Sequence, residues 1–232
     1  METQQQDSFT FWDLFGHERL YSLAEALLLL AVAFVLDHFS LVYAYTYLTD
    51  PTTRHVGDLL LDNIPIVDLN FIIIEGALIS IVLGTLFVVF LKPRYLIFTL
   101  KALALLIMIR ALSISLTHIG IYPGQINPGA GFLDAIYLYY NFQTGFFFSG
   151  HTGIPILMAL IFWETPFLRA IFLLMSCIFA VAVLLAHIHY SIDVFAAPFM
   201  VYGIFKIAHY LFPHDYELAI STEQGNIIYK KV

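Results

Sequence analysis

Residues 168–212 read LRAIFLLMSCIFAVAVLLAHIHYSIDVFAAPFMVYGIFKIAHYLF, and this stretch decides the fold. It holds two apolar runs, near 168–187 and 190–212, each long enough to cross about 30 Å of hydrocarbon as a helix. On its N-terminal side, windows of about 20 mostly apolar residues recur near 22–48, 67–91, 95–118 and 146–163. Proline, glycine and acidic clusters separate them: TDPTTRHVGD at 49–58, LKPR at 91–94, GIYPGQINPGAG at 120–131 and WETP at 163–166. The pattern predicts an all-α polytopic membrane protein, a bundle of six transmembrane helices over 22–212. Residues 1–21 form an N-terminal segment and 213–232 a tail.

Composition agrees. Of 232 residues, 60% are hydrophobic and 12% charged, with a mean hydropathy of +0.85. A soluble domain carries about 25% charged residues, so this little charge cannot cover a globule in water. Ten Lys plus Arg against seventeen Asp plus Glu leave no basic face for nucleic acid, which is set aside as a partner. Cys177 is the single cysteine, so no disulfide framework exists within the chain. The N-terminus shows no positive leader with a cleavage site, and the first span is expected to target the chain.

Orientation follows from the basic residues, which are retained on the cytoplasmic side of a membrane. Arg19, Lys92, Arg94, Arg169, Lys206, Lys230 and Lys231 flank one side of the six-span arrangement and Arg54 the other. Both termini are therefore expected in the cytoplasm, with loops 49–66, 119–145 and 188–189 on the exoplasmic, lumenal or periplasmic face. Tyr137, Tyr139, Tyr140 and Phe142 in the longest of these loops suit an interfacial aromatic belt.

Ionisable groups inside spans are costly and mark function by default. They are Asp37, His38, Asp68, Glu75, Lys101, Arg110, His151, His187, His189 and Asp193. Lys101, near the cytoplasmic end of its span, is expected to snorkel in a structural role, and Asp37 and His38 to pair within the bundle. The stronger signal is two segments arriving at one membrane face: FSGHT at 148–152 and HIHYSID at 187–193. His189 and Asp193 stand four apart on one helical face. The carboxylate can hold the proton of one imidazole nitrogen and leave the other as nucleophile or base. Ser149 and Gly150 precede a helix N-terminus, where free N–H groups and the dipole favour an anion. With His151 as acid and base and the Arg110 guanidinium on phosphate oxygens, these are the parts of metal-free phosphoryl transfer. A satisfied buried pair and an ordinary N-cap are the bland readings of the same segments. His187 is read as interfacial. Zinc is disfavoured, because the H-x-x-x-D spacing lacks a second ligand pair, and no cofactor is called for.

At these residues the chain resembles the type 2 phosphatidic acid phosphatase superfamily, and within it the sphingomyelin synthase branch. FFFSGHTG around His151 and LLAHIHYSIDV around His189 carry the likeness, with Ser191 in place of the branch's Thr. The Arg110 stretch 109–117 and the run GDLLLDNIP at 57–65 extend it over about residues 55–205. Val183 stands where the general phosphatase pattern has an arginine. The resemblance implies a six-helix enzyme with an exoplasmic site: His189 attacks phosphorus, Asp193 partners it, and His151 serves the lipid oxygen. It implies transfer of phosphocholine or phosphoethanolamine from a glycerophospholipid to a lipid alcohol, ceramide or diacylglycerol. A lipid phosphatase or phospholipase C-like hydrolase using water is the second reading, and a non-catalytic transporter the third. Asp58, Asp62 and Tyr190 are candidates to line the headgroup, with loop and helix-start roles for the two acids as the alternative. An oligomer is compatible with the sequence.

Overall fold

The computed structural model describes residues 9–48, 50, 52–126 and 145–221. Its regular elements among these residues are all helical: α1 His17–Leu48, α2 Ala77–Leu91, α3 Leu96–Leu116, α4 Gly150–Ile161, α5 Pro166–Leu185, α6 Ser191–Leu211 and α7 Pro213–Ile220. A π-helical turn, Ile72–Gly76, leads into α2, and a 3-10 turn, Pro93–Tyr95, leads into α3. Five helices are long and apolar enough to cross a membrane, as in an integral multi-pass membrane protein. The sixth expected span differs. Helix α4 has 12 residues, a rise of about 18 Å against the roughly 30 Å of a hydrocarbon core. Its start is set by the Ser149 cap, and it stops before Trp163-Glu164-Thr165, beyond which Pro166 opens α5. The second span also starts later than residue 67, because Val67 is outside any helix and donates its N–H to Leu185 O at 2.9 Å.

Helix α3 runs through the centre. Phe98, Ala102 and Leu106 pack with Leu157 and Phe162 of the α4 region and with Val201, Ile204 and Phe205 of α6. Leu41 and Ala44 of α1 pack on Ile114 at the other edge of α3, and Ile73 and Ile74 of the π turn meet Ala182 and Val183 of α5. Small residues at these contacts let helices approach closely, which is how helices associate when lipid tails are as apolar as leucine.

Lys101 does not snorkel. It is 3% exposed, and its ammonium donates to Ser22 Oγ at 2.8 Å, Glu25 Oε2 at 2.5 Å and Asp215 Oδ2 at 2.8 Å. The three donors of the amine are thus used inside the protein, tying α7 to α1 and α3. Asp37 is paired within the bundle, its Oδ1 3.7 Å from Arg110. The aromatic belt expected from Tyr137, Tyr139, Tyr140 and Phe142 lies outside the described residues.

Candidate active site

Helix α5 ends in a hydrogen-bonded turn in which Ile188 N–H donates to Val183 O at 2.9 Å and His187 N–H to Leu184 O at 3.0 Å. This is the Schellman pattern, and it puts His187 at the left-handed position, φ 54°. The reversal delivers His189 directly before α6. Tyr190 caps that helix, and Asp193, in its first turn, reaches back so that Oδ2 accepts the Tyr190 N–H at 3.1 Å. The same oxygen lies 3.3 Å from His189 Nδ1. Asp193 is fully buried and His189 nearly so. A carboxylate on Nδ1 favours the tautomer protonated there, leaving the Nε2 lone pair as the reactive one.

The second histidine is carried by α4. Ser149 is buried and its Oγ accepts the Thr152 N–H at 3.3 Å, while its own N–H donates to Asp193 O at 3.1 Å. That last bond clips the start of α4 to α6. The rings of His151 and His189 come to 6.3 Å between centroids, at 67°. Phe179 of α5 stands 6.1 Å from the His151 ring, and the Ile73 backbone lies beside it. The first N–H groups of α4, on Gly150 and His151, have no intrahelical acceptor by helix geometry.

Arg110 is differently engaged from an open phosphate fork. Its Nε donates to Phe148 O at 3.0 Å and its second terminal nitrogen to Gly145 O at 2.7 Å. The guanidinium therefore shapes the 145–149 turn. The glycines make room for it: a Cβ on Gly145 would stand 2.7 Å from the guanidinium, and one on Gly150 3.3 Å. Its charge still faces the start of α4.

The acidic pair divides. Asp58 Oδ1 accepts from Leu60 N at 3.0 Å and Leu61 N at 3.1 Å, and Oδ2 from Ser191 N at 2.7 Å. It fastens the 58–61 turn to the start of α6, two residues from His189. Burial pushes its carboxyl up, but the hydrogen bonds from Ser191, Leu61 and Leu60 outweigh this and hold it below the usual carboxylate range. Asp62 is exposed and accepts the Tyr122 hydroxyl; that bond, with burial and the acidic charges nearby, raises the phenol to about 12. Tyr190 turns inward. It is 1% exposed, its hydroxyl donates to Gly120 O at 2.7 Å, and its ring packs edge-on with Tyr122 and Phe146. His187 is not interfacial: its backbone reversal folds the ring into the protein at 3% exposure. Tyr122 and Gly145 are the residues near the site that the sequence did not single out, since no local pattern links Tyr122 to Asp62 or Gly145 to Arg110.

Residues 144–210 match the PAP2 superfamily C-terminal family, a segment that contains His151, His189 and Asp193. The match supports membership of the type 2 phosphatidic acid phosphatase superfamily. It also supports enzymatic activity of the lipid phosphatase or phosphotransferase type for this PAP2-like chain. No curated protein and no solved structure matches it.

Proposed function

We propose that this protein transfers the phosphoryl headgroup of a glycerophospholipid diester, phosphoethanolamine or phosphocholine, to a lipid alcohol such as ceramide or diacylglycerol. The observation that carries the reading is the buried His189–Asp193 pair, 3.3 Å apart, with the His151 ring 6.3 Å away on a second helix. In the first step His189 Nε2 attacks phosphorus, and the bond from phosphorus to the glyceryl oxygen breaks. That oxygen takes a proton from His151 and leaves as diacylglycerol. Asp193 balances the charge that develops on the His189 imidazole. In the second step neutral His151 takes the proton of the acceptor hydroxyl, whose oxygen attacks phosphorus as the P–N bond breaks. Gly150 and His151 N–H groups and the Arg110 charge serve the phosphoryl oxygens. A diester carries one negative charge, and an arginine whose donors already serve two carbonyls suits it better than it would a monoester dianion.

The test is mass spectrometry of lipids after purified protein is incubated with phosphatidylethanolamine or phosphatidylcholine plus ceramide. A phosphosphingolipid and diacylglycerol are expected from the wild type, and at least a hundredfold less, on the order of a general acid–base contribution, from His189→Ala and His151→Ala. Diacylglycerol with a free phospho-headgroup would instead identify water as acceptor. Full activity in His189→Ala would overturn the mechanism.

A further inference from the structure

The left-handed position of a Schellman turn is ordinarily glycine, because a Cβ is disfavoured there. This chain places His187 at it and then buries the ring with neither Nδ1 nor Nε2 hydrogen-bonded. Gln125 has a buried Oε1 that also lacks a donor. The two residues are neighbours across one backbone bond: Ile126 N–H donates to Ala186 O at 3.0 Å, so Gln125 and His187 flank its two ends. The ring of Tyr122 stands edge-on to His187 at 5.3 Å and hands its hydroxyl to the exposed carboxylate of Asp62. Buried polar groups without partners call for an explanation in a native structure, and a bound group is one. The chemistry missing here is specific. The amide oxygen and one imidazole nitrogen need N–H donors, and the other imidazole nitrogen needs an acceptor such as a phosphate oxygen, beside an aromatic ring and a carboxylate that favour positive charge.

We propose that His187, Gln125, Tyr122 and Asp62 form the subsite for the ammonium end of the phospholipid headgroup, and that it selects ethanolamine over choline. A primary ammonium brings three N–H donors and can satisfy both buried acceptors while its charge faces Asp62. A trimethylammonium brings none, and leaves both buried acceptors unpaired. Sites built to hydrogen-bond a substrate group strongly reject the analogue that lacks it. The inference rests on the reading of His189 as nucleophile toward a diester, since the subsite lies two residues from it in the chain.

The experiment uses the full chain in nanodiscs and compares kcat/KM for phosphatidylethanolamine and phosphatidylcholine with matched acyl chains. The wild type is expected to favour ethanolamine by about tenfold or more. His187→Gly suits the left-handed backbone, so its melting temperature should not fall, yet its ethanolamine preference should collapse toward one. Gln125→Leu should move the ratio the same way. A wild-type ratio of one or less, or a ratio unmoved in both variants, overturns the subsite while leaving the transfer mechanism standing. If neither lipid is turned over, the mechanism falls, and thermal shifts decide the subsite separately. Stabilisation by phosphoethanolamine but not phosphocholine, lost in His187→Gly, supports it; equal shifts or none overturn it.

Discussion

The guanidinium of Arg110 donates to the carbonyls of Phe148 and Gly145 and faces Asp37 at 3.7 Å, with both charged side chains about 15% exposed or less. Removing one member of such a buried pair leaves the other charge uncompensated, at a cost of about 3–5 kcal/mol. Arg110→Leu is therefore expected to lower thermal stability sharply, and Asp37→Leu on top of it to recover part of the loss. A double variant no more stable than Arg110→Leu would show that the carbonyl contacts, and not the ion pair, carry the effect. At this scale the sequence was informative where partners are close along the chain. His189 and Asp193 are one helical turn apart, so their pairing follows from periodicity. Arg110 reaches Gly145 and Phe148 across 35 and 38 residues, and spacing alone could only offer it as a charge near phosphate.

Among the elements, α4 and the reversal between α5 and α6 set the depth and aim of the site. A 12-residue α4 is too short to reach both surfaces of a bilayer, and its far end packs at Tyr95. Hydropathy showed that an apolar helix belonged at 146–163, but the run of Phe146, Phe147 and Phe148 gave no sign that they precede it in a non-helical turn. The start of α6 is fixed from outside by Asp58, whose carboxylate accepts three backbone N–H groups. Because its folded carboxyl titrates below the unfolded value of about 3.9, its contribution is complete above that pH. It is lost as pH falls through the lower folded value. Asp58→Asn is expected to cost about 2 kcal/mol near neutral pH, with the gap from wild type closing on acidification toward pH 3. Thermal unfolding of both proteins from pH 7 to pH 3 measures it; a gap that stays constant with pH would remove the charge from the argument.

On the scale of the whole molecule, the described Lys and Arg residues other than Arg54 and Arg110 lie at the end of the bundle opposite the histidine site. Arg19 opens α1, Lys92 and Arg94 lie in the turn between α2 and α3, Arg169 is in the first turn of α5, and Lys206 is in the last part of α6. Lys101 is held at that same end by Ser22, Glu25 and Asp215. At the other end, Arg54 O accepts from Gly120 N–H in the loop that roofs Tyr190. Lysine and arginine beside spans are retained on the cytoplasmic side, so the site is expected to face away from the cytoplasm. Single cysteines in a Cys177→Ser background test this directly at two exposed positions, Asn63 near the site and Glu164 at the basic end. A membrane-impermeant maleimide should label Asn63→Cys in sealed, right-side-out membranes and Glu164→Cys only after the membrane is opened. The reverse labelling would turn the protein over in the bilayer, and the proposed transfer would then have to draw both lipids from the cytoplasmic leaflet, with the geometry of the histidine site unchanged.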